Sequence, residues 1–279
     1  MTSDVPSGSA GTPSQIADFA VVRPLGHSGS FLLARTPQRL AGVGDEVVLK
    51  IVSADAAIDA DGALQRVSSA LRQIAAVRSP YLVRLIEVGR NDGLIYCAME
   101  FLPGGSLAAP ASQLTFAEVL RAVACAARGA HDLHEHGIAH RNIHPAGVIL
   151  HPDGARLADP GLATYLNPGM TLTGRLGHPH LAFMAPAVLA GQDPTRASDL
   201  FSLGATLHFA ASGKSLYPHI DERDPSSALP AIMSSGPTIA AGLPGPIEQI
   251  VRSCIEPTAA DRPKTAGDLA DRLDSLWKR

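Results

Sequence analysis

The stretch IAHRNIHPAGVIL, residues 138 to 150, sets His140, Arg141, Asn142 and His144 among apolar neighbours. Side chains of these types either serve chemistry, by moving protons and holding anions, or fix a loop by hydrogen bonding. An imidazole can accept a proton near neutrality. An amide cannot, so Asn142 offers hydrogen bonds but no base. Two further candidates lie outside the stretch: Lys50 within VVLKIV and Asp159 within ARLADPGLA. The lysine is either an anion ligand or a lysine at a strand edge. The aspartate, next to Pro160, either binds a divalent cation or accepts backbone hydrogen bonds at a turn. His131, His134, His136, His140, His144, His178 and His180 invite a zinc site, yet none has the H-E-x-x-H spacing that puts two imidazoles on one helical face. Histidine-bound metal is therefore not expected.

The elements that position these residues follow from hydrophobic spacing. The runs FAVVRPLG, SFLLART, EVVLKIV, LVRLIEVG and LIYCAMEFL are β-branched or aliphatic and are parted by Gly, Pro, Asp and Asn, which predicts a five-stranded antiparallel sheet beginning near Asp18. Between the third and fourth runs, Leu64, Val67, Leu71, Ile74 and Val77 recur at helical spacing, so one amphipathic helix covers 63–77. After LPGGSL, residues 102 to 107, the spacing turns helical over 116–135, 198–212, 245–254 and 265–276, with Ser, Thr or Pro near several starts. The expected fold class is α+β: a small five-stranded β lobe with one helix over about 17–102, then a larger mainly helical lobe over about 103–279. Residues 1–16 are rich in Ser, Gly, Pro and Thr and read as a disordered tail. No repeat at fixed period is evident.

Composition excludes several function classes. The chain has 279 residues, 46% hydrophobic and 18% charged, with a formal net charge of −3. Lysines are few (Lys50, Lys214, Lys264 and Lys278), and no block of like charge could track a phosphate backbone, so nucleic acid is not an expected partner. Cys97, Cys125 and Cys254 lie far apart and form no C-x-x-C pair, which fits a reducing cytosol. The opening MTSDVPSGSAGTPSQ lacks the basic and apolar parts of a signal peptide, and no apolar run approaches the roughly 18 residues needed to span a bilayer. A cytoplasmic location without a membrane span is expected.

With these elements in order, the chain resembles a bacterial eukaryotic-like Ser/Thr protein kinase domain from about Asp18 to Leu276. LGHSGSFLLAR resembles the glycine-rich loop, VVLKIV the strand with the phosphate-binding lysine, and SPYLVRLIEVG the approach to the fourth strand. YCAMEFLPGGSL is similar to the hinge, HEHGIAHRNIHPAGVIL to the catalytic loop and ARLADPGLA to the metal-binding turn, while AFMAPA and SDLFSLGATLHFAASG resemble the end of the activation segment and the buried helix after it.

The resemblance implies that Lys50, Asp159, Gly26, Gly29, Met99, Glu100 and Leu102 form a vestigial nucleotide site, with Asp159 as its one metal ligand. His140 and Arg141 would hold the loop, with Asp199 of the buried helix as anchor. The catalytic positions depart from the pattern. Asn142 stands where the family's aspartate takes or orients the substrate's proton, His144 replaces the phosphate-contacting lysine and Gly147 the asparagine of the second magnesium. Ala70 replaces the helix glutamate that pairs with the strand lysine, and 63–77 contains no acid. Pro160 replaces the turn's phenylalanine, which should push Asp159 toward extended geometry. The glycine-rich loop is about two residues short, and Phe31 and Val48 add bulk to the adenine pocket. Ala187 replaces the glutamate that would pair with Arg262, so that arginine should be exposed or paired with another acid.

These losses predict a pseudokinase: not an enzyme, but a catalytically inactive signalling scaffold that acts by binding protein. It would have no cofactor, with ATP and magnesium as the weaker expectation. Its partner would be a signalling protein such as a phosphothreonine-reading domain or an active Ser/Thr kinase. Arg141, Thr171 and Thr173 would form its regulatory set through phosphorylation of the activation segment. The alternative is a Ser/Thr kinase with weak or unconventional ATP-dependent phosphotransfer, or a regulator that binds ATP without transfer.

Overall fold

The computed structural model describes residues 13–26, 29–53, 60–161, 180–221 and 224–278. Thr171 and Thr173, and the expected tail up to residue 12, lie outside them. The chain forms two compact units, one from Met1–Ser68 with Arg84–Phe101 and the other from Ser69–Val83 with Leu102–Arg279. The protein is bilobal, with a sheet-and-helix lobe and a mainly helical lobe as the hydrophobic spacing predicts.

The first unit is built on an antiparallel sheet of β1 (Gln15–Ile16), β2 (Phe19–Leu25), β3 (Phe31–Arg35), β4 (Glu46–Ser53), β5 (Leu85–Asn91) and β6 (Leu94–Glu100), in the order β1-β2-β3-β4-β6-β5. The five expected strands are joined by a two-residue sixth. Structure therefore starts before Asp18, because Ile16 ends the polar opening with an apolar side chain that is buried beside Phe19. Alternation decides the faces. Leu32, Ala34, Val47, Leu49 and Ala98 enter one core, which puts Phe31, Val48, Lys50 and Met99 on the opposite face. The Arg39 guanidinium clamps this lobe by taking Asp18 at 2.6 and 2.8 Å and Glu87 at 2.5 and 2.8 Å. It holds both carboxyls below their usual range, while burial and the bond to Glu87 push the Tyr96 phenol up to about 12.

Helix α1 (Ala60–Ala76) begins three residues before its expected start, and so gains Asp61, which pairs with Arg90 at 2.5 Å. Val67, Leu71, Ile74 and Val77 of the anticipated stripe are buried, Leu64 is only partly so, and Ala63 and Ala70 are buried beside them.

In the second unit, β7 (Gly105–Ser106), β8 (Ala109–Pro110), β9 (Val148–His151) and β10 (Gly154–Leu157) make a small sheet in the order β10-β9-β7-β8. Helix α2 (Phe116–Glu135) has the predicted bounds, because the Thr115 hydroxyl and the Glu118 carboxylate cap its first turn reciprocally. It packs against β10, α4 (Arg196–Ser212) and α7 (Ala266–Trp277). Helix α4 is buried from Ser198 through His208, starts with a second reciprocal cap from Thr195 and Ser198, and ends at Gly213 with φ +68°, where a left-handed residue closes the last turn. Short α3 (Pro186–Leu189), α5 (Pro225–Ser234) and α6 (Gly245–Cys254) complete the lobe. Among the described residues no helix is long and apolar enough to cross a membrane.

Candidate functional site

The polar stretch that opened the sequence reading is held from below by Asp199 in the first turn of α4. Its carboxylate is 1% exposed and accepts from the backbone N–H of His140 at 2.7 Å and of Arg141 at 2.8 Å. The His134 ring near the end of α2 lies 2.8 Å from the same carboxylate. A carboxyl group so deep in the fold is accommodated because hydrogen-bond partners surround it. Asp199 is the anchor expected from sequence. His134, considered only among zinc candidates, is the partner that was missed, although its place in the last turn of α2 and six residues before His140 is a usable signal.

Backbone bonds then join the loop to the turn that carries Asp159. The Gly161 N–H donates to the His140 carbonyl at 2.9 Å and the Ala158 N–H to the Gly147 carbonyl at 2.8 Å. A β-carbon at Gly161 would come 2.9 Å from the β-carbon of Arg141, so this close approach needs glycine. Arg141 itself has φ +73°. The His140 ring is buried in this junction, and that burial lowers its pKa to about 4.

Asp159 is buried and has φ +60°, not the extended geometry expected before Pro160. The left-handed conformation costs about 1–2 kcal/mol. The Asn142 amide offsets it by donating to Asp159 Oδ2 at 3.0 Å and lying 3.3 Å from the Asp159 carbonyl. The same amide nitrogen is 3.3 Å from His144 Nε2, which in turn lies 4.0 Å from Asp159 Oδ2. The His144 ring stacks on His180 with centroids 3.7 Å apart and planes 14° from parallel. His180, another missed neighbour, reaches it from a residue with φ +106°. Asn142, His144, Gly147 and Asp159 are thus one cluster.

This cluster does not fit the two magnesium ions that the kinase resemblance implies. Gly147 offers no ligand, and a β-carbon there would lie 3.4 Å from His144 Nε2. The Asp159 oxygen that would face a cation already accepts an amide hydrogen. Among the described residues no group of three or more His, Cys, Asp or Glu side chains could hold a metal ion.

The remaining nucleotide candidates lie in the first unit, apart from Leu102, which belongs to the second. Lys50 on β4 pairs in register with Phe31, and its ammonium sits 5.5 Å from the Phe31 ring centroid. Val48 pairs with Met99 and Val47 with Glu100, whose carboxylate accepts from the Arg84 N–H at 2.7 Å. Gly26 and Gly29 lie between β2 and β3 with φ +69° and +67°. Ala70 is buried on α1, and Ala187 is exposed on α3.

Arg262 corrects the expectation of exposure or an acidic partner. It is 7% exposed and donates to the carbonyls of Glu256 at 2.9 Å, Ala197 at 2.8 Å and Pro257 at 3.4 Å, with its guanidinium carbon 5.4 Å from the Phe201 ring centroid. Carbonyl dipoles and a ring face replace the missing carboxylate.

Comparison with known proteins fits this geometry. The protein kinase domain family model matches residues 26–270. The probable serine/threonine-protein kinase PkwA of Thermomonospora curvata is 28% identical over 267 residues, covering 93% of this chain and 34% of the relative. The serine/threonine-protein kinase AfsK of Streptomyces coelicolor is 30% identical over 272 residues, covering 94% and 32%. The serine/threonine-protein kinase PknK of Mycobacterium tuberculosis is also 30% identical over 272 residues, covering 94% and 24%. The chain spans about a third or less of the length of these relatives. Their names overturn the expectation that the chain is not an enzyme, since each aligns over more than nine-tenths of it and is named as a kinase. The physical error lay in equating a missing acid with a missing reaction, when general-base assistance alone is worth about 10²–10⁴ in rate. The chain belongs to the protein kinase domain family.

Proposed function

We propose that the chain is a Ser/Thr protein kinase domain with weak or unconventional ATP-dependent phosphotransfer. The observation that carries this reading is the kinase-type loop that Asp199 anchors through the N–H groups of His140 and Arg141, with Asp159 retained and buried beside it. Lys50 is the second residue on which the reading rests. In the reaction a Ser or Thr hydroxyl attacks the γ-phosphorus, the bond to ADP breaks and the hydroxyl proton is released. Asn142 gives that proton no carboxylate to go to, so the rate falls about 10²–10⁴ below that of a domain with the acid.

The test is incorporation of label from γ-labelled ATP into protein by wild type, Asp159→Ala and Lys50→Met. Slow incorporation that disappears in both variants supports the reading, and incorporation indifferent to both sinks it. A second reading, ATP binding that acts through conformation, is favoured by the amide at position 142, and it predicts stabilisation by ATP with no label transferred.

On the main reading the partners are proteins bearing Ser or Thr. Arg141 with Thr171 and Thr173 is proposed as the regulatory set, through which a phosphothreonine-reading domain or a second kinase would act. We place the protein in the cytoplasm, because Cys97, Cys125 and Cys254 are free and buried and no helix among the described residues is long and apolar enough to cross a membrane.

A further inference from the structure

We propose that this domain binds ATP without a divalent cation, because Asn142 and His144 fill the places from which Asp159 and residue 147 would hold one. The inference deepens the ATP-dependent reading above and rests on it.

Magnesium takes oxygen lone pairs at about 2.0–2.1 Å in octahedral array, and in phosphate sites the protein gives it one or two carboxylates besides the phosphates. Asp159 is the only carboxylate of the cluster, and its Oδ2 receives the Asn142 amide at 3.0 Å. A cation at that oxygen must first displace the amide. Turning the amide over would aim its carbonyl oxygen at the carboxylate, acceptor against acceptor. The same nitrogen also donates to the Asp159 carbonyl at 3.3 Å and lies 3.3 Å from His144 Nε2, so the amide is held on more than one side.

The other metal position has lost its ligand. Gly147 has no ligand atom, and a side chain there would meet both the Ala158 carbonyl at 3.3 Å and His144 Nε2 at 3.4 Å. The His144 ring cannot easily yield, since it is 4% exposed and stacked on His180. The exchanged residues at 142, 144 and 147 therefore act as one packed unit. Protein donors meet the charge of Asp159, as a metal would elsewhere. The triphosphate is left to protein cations and monovalent counterions.

The experiment is calorimetric titration of the wild-type chain with ATP, once in EDTA and once in magnesium, with manganese alone followed by electron spin resonance. Dissociation constants that agree within about threefold, and no manganese bound without nucleotide, are expected. The triple variant Asn142→Asp/His144→Lys/Gly147→Asn is expected to bind ATP at least about tenfold more tightly with magnesium than without. If that variant does not fold, Asn142→Asp alone is expected to shift in the same direction. ATP binding by wild type only with magnesium, or manganese bound by wild type alone, overturns the inference and leaves the phosphotransfer reading standing. No ATP binding in either buffer overturns both.

Discussion

Two buried carboxylates in the same lobe, Asp199 and Asp159, bracket the loop that carries His140 to Gly147, and they are satisfied in different ways. Asp199 is held by two backbone N–H groups and the His134 ring. Asp159 takes a side-chain amide, faces an imidazole at 4.0 Å and sits in left-handed backbone. Backbone donors are indifferent to the side chains around them, so the anchor persists whatever stands at 142, 144 and 147. Backbone bonds also tie the turn of Asp159 to the loop, but the donor to its carboxylate is the side chain of Asn142, so there one exchange bears on the next. Gly147 leaves the space beside the ring of His144, and the nitrogen of that ring faces the Asn142 amide.

The comparison breaks most visibly at its structural end. Asp199→Ala would strand the His134 ring and two buried N–H groups, an expected loss of about 3–5 kcal/mol in urea unfolding. Asp159→Ala should cost less, about 1–2 kcal/mol, since the Asn142 amide that it uncovers keeps the carbonyl of residue 159 at 3.3 Å. Equal losses would show that the two sites are not distinct in kind.

A pH effect comes next. Burial lowers the pKa of His140 to about 4, so the unfolded chain binds a proton there that the folded chain does not. Its contribution to stability is complete above about pH 6.5, the value of a free imidazole, and is lost as pH falls toward 4, an order of 3 kcal/mol across that window. His140→Leu should be less sensitive to acid than wild type by that difference. Parallel curves for the two proteins would place the acid sensitivity elsewhere.

Asn142→Asp should cost about 1–2 kcal/mol at pH 7 in EDTA, because it sets a second carboxylate about 3 Å from Asp159, and the loss should shrink on acidification as the two come to share a proton. A variant as stable as wild type would mean that the amide does not hold Asp159. The smallest effect is expected at the exposed pair of Glu248 and Arg252, 2.7 Å apart on α6, where Glu248→Ala should cost about 0.3–0.5 kcal/mol and fade with salt. That value sets the scale against which the buried contacts are read.

Much of the frame was legible because it is written in local spacing and caps. Helices Phe116–Glu135 and Gly245–Cys254 have the expected bounds, and three of the five main strands lie within their runs while β4 and β5 end one and two residues beyond theirs. Strands β7 to β10 escaped because pairs of two to four residues carry no readable period. Helix α5 escaped because Pro225 and Pro230 read as breaks, although proline at the first helical position costs nothing. In the site, the anchoring by Asp199 and the identity of the exchanged residues could be read from motif order. The left-handed Asp159, the stack of His144 on His180 and the carbonyl cage around Arg262 could not. Each depends on groups distant in the chain, such as the carbonyl of Ala197, which lies 65 residues from the arginine it satisfies.

The most direct test of the account is mass-spectrometric mapping of phosphate on a Ser/Thr-containing protein substrate, and on the chain itself, after long incubation with ATP. Wild type should yield phosphoserine or phosphothreonine slowly, and Asp159→Ala and Lys50→Met should yield none. No phosphorylated residue from wild type, or the same sites phosphorylated by both variants, would contradict it.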